Sequence, residues 1–449
     1  MPRPERAGRP APDGRDEDHD GSGLARRLGL GDAVVLGVGS MLGAGIFAVL
    51  APAARAAGGW LVLGLAVAAV VAYANAMSTA RLAAAMPTAG GAYRYGRERL
   101  GPGWGFVAGW CFVTGKAASC AAMALTFAAY VVPGWQRPVA VAAVVVLVGV
   151  NGRGITRTAG LTRVLVAVTS VVLLVVVVLG AAALGGPAGA GTPTQPPAPP
   201  VVVGGGAYGV LQSAGLLFFA MAGYARIATL GGEVRSPRTV IPRAITIALA
   251  LVVAVYAAVA VVALGAVGAD RLAASSAPLV EVVAAAGRPG WAWLVRVGAA
   301  AACLGALLGL VAGVGRTAYA MAEGGDLPRR LAAVHPRYRV PRAAEQAIGV
   351  VVVVAVLVGE VTTLIGLSSF GVLLYYGVAN AAALTQGPDE RRSPRWLPVV
   401  GLTGCVVLVL TLPPTAVLPG AGVLAAGVLG RWVVRRLLSP RAGPTSGPR

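Results

Sequence analysis

Long apolar stretches separated by short polar segments recur along the chain from residue 30 to residue 437. A helix needs about 20 apolar residues to cross a bilayer, and 17 to 25 is the usual range. The pattern therefore predicts an all-α integral membrane protein with twelve transmembrane helices. The predicted spans are 30–50, 59–86, 103–132, 138–150, 162–184, 207–231, 242–268, 292–321, 343–359, 363–384, 397–412 and 415–437.

The composition supports a membrane protein and argues against a soluble one. Of the 449 residues, 57% are hydrophobic and only 12% are charged, with a mean hydropathy of +0.77, whereas soluble domains are typically about 25% charged. The net charge of +20 does not indicate nucleic-acid binding, because in a membrane protein the distribution of basic residues over the loops is what matters. The four cysteines lie in apolar stretches without metal-ligand spacing, so neither a metal nor a cofactor is expected.

Basic residues predict the orientation of the chain in the membrane. The N-terminal tail, the loops on its side of the twelve spans and the span ends next to them hold 30 of the 37 basic residues, and the opposite loops with their span ends hold five. Cytoplasmic loops carry the excess of Lys and Arg. Both termini are therefore predicted to be cytoplasmic, in a multi-pass protein of the cytoplasmic membrane.

The spans and the Pro/Gly-rich stretches between them divide the chain into six predicted segments. These are a disordered cytoplasmic tail (1–27), a first repeat of helices 1–5 (28–184), an extracellular loop (185–206), a second repeat of helices 6–10 (207–386), helices 11 and 12 (387–438), and a cytoplasmic tail (439–449).

The first span contains a glycine cluster, GVGSMLGAGIF at residues 37–47. Each Gly in a helix interior costs about 1 kcal/mol relative to Ala, so the cluster predicts an unwound segment. Unpaired backbone is tolerated at membrane depth only beside a cavity or inside protein. A dinucleotide-binding loop is disfavoured, because the spacing is GxGxxxG and both flanks are apolar. Close helix packing through the GxxxG pair Gly39 and Gly43 stays open as an alternative.

A second interruption lies in the sixth span, where Gly223 is followed by Arg226 and then by Gly231 and Gly232. Interrupted segments at corresponding positions of two halves are the best sequence indicator of a transporter binding site. Each half contains five spans before the next begins, so the second half enters the membrane from the opposite side. The repeat is therefore predicted to be inverted.

Four stretches resemble the amino acid/polyamine/organocation (APC) transporters, which have the leucine-transporter-like fold. The resemblance implies a 5+5 inverted repeat with broken helices 1 and 6 and two additional C-terminal helices. It also implies secondary active transport of amino acids or related amines. The stretches are GSMLGAGIF, MPTAGGAYRYGRERLGPGWGFVAGW, FFAMAGYARIATLGGEVRSPRTVIPRAI and, more weakly, GRTAYAMAEGGDLPRRLAAVHPRYRVP.

Helix direction predicts what each break binds. The second half of helix 1 presents free N–H groups and a positive dipole end, which suit a carboxylate. The first half of helix 6 ends in free carbonyls, which suit an ammonium group. Together they predict a backbone cradle for an α-amino acid, and the resemblance implies the same roles. Aromatic cover by Phe219 and Tyr224 competes with plain packing. The candidate substrate-binding residues are Ser40, Met41, Gly43, Ala44, Gly45, Ile46, Phe219, Ala220, Gly223 and Tyr224.

Two cations inside the spans are candidates for coupling. Lys116, the sole lysine, lies about 20 Å along its span, and an ionisable group at that depth is a functional hypothesis by default. Arg226 follows the second break. A structural ion pair is the alternative for both. Helix 8 has no Ser or Thr between residues 297 and 315, which disfavours a sodium site and favours proton coupling or exchange.

Two other functions remain open from the sequence, and a third is disfavoured. A passive channel or facilitator and a non-transporting amino acid sensor are compatible with the same features. A membrane enzyme needs a cluster of catalytic groups at one depth, which His19 and His335 do not supply, so no catalytic residue is predicted. The predicted partners are a small-molecule substrate, the lipid bilayer and protons.

Overall fold

The computed structural model describes residues 29–86, 90–153, 159–184, 204–228, 234, 236–336, 340–387 and 394–438. This part of the chain is built from α-helices joined by short turns. The first nine are α1 (Leu30–Met41), α2 (Gly45–Ala57), α3 (Leu61–Ala85), α4 (Gly91–Arg99), α5 (Pro102–Val131), α6 (Gln136–Asn151), α7 (Ala159–Leu184), α8 (Gly206–Met221) and α9 (Ala225–Ala228). The others are α10 (Pro237–Val267), α11 (Ala269–Ala274), α12 (Pro278–Ala285), α13 (Ala292–Glu323), α14 (Arg342–Val358), α15 (Val361–Leu384), α16 (Trp396–Thr411) and α17 (Pro414–Leu438).

The helices confirm an all-α membrane protein. Among the described residues, eight helical stretches are long and apolar enough to cross a bilayer. Three shorter apolar helices, α1, α6 and α16, accompany them. Each predicted span coincides with one of the observed helices, or with a pair of helices where a break was predicted. The count of twelve crossings stays a prediction, as do the six segment boundaries.

Small residues bring α5 into close contact with α15 in the centre of the bundle. A Cβ on Gly115 would lie only 3.1 Å from Cα of Gly371. One turn further along α5, the hydroxyls of Ser119 and Ser368 lie 2.5 Å apart. Glycine and serine at helix contacts allow the backbones to approach and supply a hydrogen bond between helices. The α5–α15 pair therefore packs closely beside the broken helices.

Beyond the end of α13, Asp326 joins α4 to the last helix, α17. Its buried carboxylate accepts hydrogen bonds from Tyr93 Oη at 3.1 Å and from Arg97 Nη1 at 3.4 Å. Nε of Arg431 donates to the same carboxylate at 2.9 Å. Burial and the neighbouring carboxylate raise the pKa of Tyr93, which keeps its hydroxyl protonated as a donor. This cluster links α4, the segment after α13, and α17 at the predicted cytoplasmic end of the bundle.

Several sequence predictions fall outside the described residues. They are the tails 1–27 and 439–449, all but the end of the loop 185–206, Gly231, Gly232 and His19.

Candidate functional site

The glycine cluster interrupts the first helix as predicted. The helix α1 ends at Met41, where the amide of Leu42 still donates to the carbonyl of Val38 at 2.7 Å, and α2 begins at Gly45. Between these helices, the amides of residues 43–46 make no hydrogen bond to another described residue. The first amides of any helix lack acceptors within it. The start of α2 therefore presents a set of unpaired N–H groups in a fully buried segment.

The second predicted interruption is also present. The helix α8 ends at Met221, a 3-10 turn covers Ala222–Tyr224, and the short helix α9 follows. The carbonyl of Ala222 accepts a hydrogen bond from Tyr376 Oη of α15 at 3.3 Å. Backbone carbonyls of this turn are thus available to side chains. The sequence predicts free carbonyls at this point, where the first half of predicted helix 6, the observed α8, ends.

The two breaks lie against each other. A Cβ on Gly45 would lie 2.6 Å from Cα of Ala220 in α8. A Cβ on Gly223 would meet the carbonyl oxygen of Ser40. Neither position has room for a side chain unless the backbone moves. The glycines therefore allow the two unwound segments to touch, Gly45 at Ala220 and Gly223 at Ser40. The binding role of the ten candidate residues stays a prediction.

Tyr256 of α10 connects the two breaks, and sequence reasoning missed it. Its fully buried hydroxyl donates to the carbonyl of Met41 and lies 3.3 Å from the carbonyl oxygen of Ala220. A lone tyrosine in the middle of an apolar span was the available signal, because a hydroxyl in that setting needs a hydrogen-bond partner. One side chain thus binds carbonyls of both breaks.

The aromatic candidates of the second break are buried among other rings. Tyr224 is fully buried and stacks on Tyr376 with ring centroids 5.0 Å apart. Phe219 is 6% exposed. The packing of Tyr224 on α15 supplies the structural role that competed with aromatic cover in the sequence. Its contact with substrate stays a prediction.

Lys116 lies in the middle of α5, as the fifteenth of its 30 residues, and is 8% exposed. It shares a helix face with Gly109, seven residues earlier, and with Tyr130, fourteen residues later. Gly109 contacts Met321 of α13, and Tyr130 stacks edge-on against Phe47 of α2. Its nearer neighbours on the helix surface, Phe112 and Ser119, contact Tyr375 and Ser368 of α15. Lys116 therefore lies between the contacts of α5 with α15 and those with α13. No ion pair or hydrogen bond joins its ammonium group to another described residue.

Arg226 is exposed on α9, and its Nη1 lies 3.1 Å from the point where a Cβ on Gly309 of α13 would be. The same helix passes the first break one turn earlier: a Cβ on Gly43 would lie 3.0 Å from Cβ of Ala306. The side chain of α13 nearest to Gly43 is thus the methyl group of Ala306. The carbonyl oxygen of Ala302 lies 3.7 Å from the same Cβ position. Independence of sodium stays a prediction.

A cavity of about 200 Å³ lies beyond the first break, towards the predicted extracellular side. Phe47 and Pro52 of α2 form its apolar part, whereas Arg55, Thr126 and Gln136 contribute polar groups. Nη2 of Arg55 donates to the carbonyl of Ala273 at 2.7 Å. This cavity, the outer vestibule, is lined by a cation and by no acidic residue of the described part of the chain.

The sequence is similar to those of known transporters. A family model described as amino acid permease matches residues 28–428. An uncharacterized transporter of Mycobacterium tuberculosis is 56% identical over 422 residues, which is 94% of each chain. The branched-chain amino acid permease BcaP of Bacillus subtilis is 24% identical and covers 87% of this chain and 88% of its own length. A vacuolar cationic amino acid transporter 2 of Arabidopsis thaliana is 28% identical and covers 83% of this chain and 62% of its own length.

Proposed function

Since the chain belongs to the amino acid permease family, we propose that it carries amino acids or related amines across the cytoplasmic membrane by alternating access around the two breaks. The observation that carries the proposal is the contact between the two unwound segments at Gly45 and Gly223. It places the free N–H groups of α2 beside the end of α8. An α-amino acid offers a carboxylate for the first and an ammonium group for the second.

The proposed coupling does not use sodium. The alanines of α13 that face Gly43 provide no hydroxyl ligands, and Lys116 places a cation at mid-depth instead. We expect uptake into proteoliposomes to be the same in sodium and in choline, and to depend on pH. A steep sodium requirement would contradict this coupling. A pH profile unchanged by Lys116→Ala would remove Lys116 from it.

The substrate site is tested by Gly43→Ala rather than by a larger change at Gly45. Gly45 touches the backbone of Ala220, so any side chain there disturbs packing and binding together. At Gly43 the added methyl group meets only Cβ of Ala306 at 3.0 Å and the carbonyl oxygen of Ala302 at 3.7 Å. A hydrogen bond to a charged group is worth about 1.5 to 3 kcal/mol. Partial loss of the amide–carboxylate contacts therefore predicts about tenfold weaker binding.

The matched control is Gly313→Ala, because the same methyl group on α13 meets no atom within 4 Å. Purified variants are titrated with a panel of amino acids and polyamines, and the ligand-induced rise in melting temperature is measured. Weaker ligand stabilisation in Gly43→Ala, with the empty protein nearly as stable as the control, supports the site. An empty protein that is destabilised but binds normally indicates that Gly43 serves packing alone.

The same proteoliposomes distinguish the proposed transporter from two rival functions, a channel or facilitator and an amino acid sensor. A channel or facilitator equilibrates tracer without accumulating it when a pH gradient or an excess of unlabelled substrate is imposed. A sensor is stabilised by amino acids in the thermal assay and moves none. Accumulation driven by a gradient or by exchange is the result expected for a secondary active transporter.

A further inference from the structure

An apolar groove runs between α3 and α16 on the outside of the bundle. It has a volume of about 290 Å³. Its walls are formed by Val70, Tyr73 and Ala74 of α3 and by Trp396, Leu397 and Val400 of α16. Val70, Tyr73 and Trp396 are exposed, and the two helices coincide with predicted spans. The groove therefore opens towards the tails of membrane lipids rather than towards the interior of the protein.

Arg81 lies beyond the end of this groove that is nearer the predicted cytoplasmic surface. It follows Ala74 by seven residues in α3, which is close to two full turns along the same face and about 10 Å along the helix. Nη2 of Arg81 donates to the carbonyl of Pro394 at 3.3 Å. Since α16 begins at Trp396, Arg81 joins α3 to the beginning of α16 at the place where the groove ends.

The guanidinium group of Arg81 has no counter-ion among the described residues. Its bond to the carbonyl of Pro394 is its one hydrogen bond to that part of the chain, and its Nε is buried without a partner. Only 8% of the residue is exposed. Buried charges in proteins are normally paired, because an unpaired charge removed from water is costly. The groove therefore ends at a cation that a bound anion would stabilise.

The first turn of α16 attracts an anion to the same place. No acidic residue occupies this turn, and Arg395, which directly follows Pro394, is exposed. The N-terminus of a helix carries partial positive charge and unpaired amide groups, which favour an anion. A phosphate group accepts hydrogen bonds from several donors, and arginine is a common partner for it. Arg81, Arg395 and the beginning of α16 therefore form a site whose chemistry suits a phosphate.

We propose that the groove binds an anionic phospholipid of the cytoplasmic leaflet, with the phosphate at Arg81 and an acyl chain between α3 and α16. Basic pockets between transmembrane helices on the cytoplasmic side bind anionic head groups. The exposed Trp396 at the groove is of a residue type that is enriched at membrane surfaces. A second copy of the chain fits less well. In a symmetric dimer the same surface faces itself, so the second copy would add another cation and no carboxylate.

The test is lipid binding to the full-length protein, purified in detergent and measured by native mass spectrometry. Dioleoylphosphatidylglycerol and dioleoylphosphatidylcholine have the same acyl chains, and only the first has a net negative charge. We expect the first to bind at least about tenfold more tightly, because a hydrogen bond to a charged group is worth roughly this factor or more in affinity. Arg81→Gln should remove most of the difference. The control Arg436→Gln removes an exposed cation of α17 outside the groove and should leave the difference unchanged.

A second variant tests the groove itself. Val70→Trp places a larger side chain at an exposed position of the wall and should weaken the binding of both lipids. If Arg81→Gln fails to fold, Arg395→Gln and Val70→Trp carry the comparison, and unchanged binding of phosphatidylglycerol in both variants overturns the proposal.

Four other results would also overturn the lipid site. The wild type binds the two lipids equally, or the difference between them persists in Arg81→Gln or disappears in Arg436→Gln. Inorganic phosphate raises the melting temperature as much as phosphatidylglycerol does, which assigns the cations to a soluble anion. The lipid-free protein forms a dimer that Val70→Trp abolishes, which assigns the groove to a second copy of the chain.

Discussion

Replacing Tyr256 with Phe tests whether one hydroxyl holds the two breaks together. The change keeps the ring and removes the oxygen that donates to the carbonyl of Met41 and lies 3.3 Å from that of Ala220. Tyr256 is fully buried, so water does not readily take over the lost bond. The variant therefore leaves carbonyls of both breaks without this donor.

The expected effect follows from the cost of an unpaired buried carbonyl, about 1–3 kcal/mol. If the bond positions the cradle for substrate, that cost appears as a rise in the substrate dissociation constant of about fivefold to 150-fold. The ligand is whichever amino acid stabilises the wild type most. The measurement is its titration by ligand-induced thermal shift, with initial uptake rates giving KM and the maximal rate separately.

Tyr375→Phe is the matched control. Its hydroxyl is also buried and accepts a hydrogen bond, from the amide of Ala92 at 3.0 Å, but this bond joins α15 to α4 and touches neither break. We expect the two variants to lower the melting temperature of the empty protein similarly and only Tyr256→Phe to weaken binding. Equal substrate affinity in both variants would refute the role assigned to Tyr256.

Two further predictions concern the cytoplasmic cluster and the topology. Asp326→Asn removes the buried carboxylate that pairs with Arg431. Breaking a buried ion pair in this way lowers the free energy of unfolding by about 3–5 kcal/mol. The melting temperature of the empty protein should therefore fall clearly. Arg94→Gln, which breaks an ion pair exposed on both sides, should change the melting temperature little; equal effects of the two changes would contradict a structural role for the cluster. Reporter fusions at Gly186 and Pro394 should lie outside and inside the cell respectively, and the same side for both would contradict the twelve-span topology.

The helices and their breaks follow from the sequence because their causes are local. An apolar run long enough to cross a bilayer has few options other than a helix, and the glycines at 43 and 45 make that helix costly at one point. The observed end of α1 at Met41 and start of α2 at Gly45 lie within the predicted cluster. The break at Gly223 was located for the same reason.

The contacts across the bundle could not be predicted in this way, because they join residues far apart in the chain. Nothing near Tyr256 in the sequence indicates that its hydroxyl meets Met41, 215 residues earlier. Asp326 likewise lies in a recognisable motif, but its partner Arg431 belongs to the last helix, which carries no motif. Such pairs depend on how helices pack, and packing is not encoded in the period of any single helix.

The glycines of the first break bear differently on the packing and binding interpretations of the sequence. The two hypotheses predict different roles for the cluster at residues 37–47, and the contacts of its members decide where each hypothesis can be tested. Gly45 has the backbone of Ala220 in the space of its side chain, so close packing alone requires glycine there. A Cβ added to Gly43 would meet only the methyl group of Ala306 and the carbonyl oxygen of Ala302, and a shift of a few tenths of an ångström relieves the closer contact. A requirement for glycine at Gly43 that packing does not explain therefore points to an approaching substrate, and this is the position where substitution separates the two interpretations.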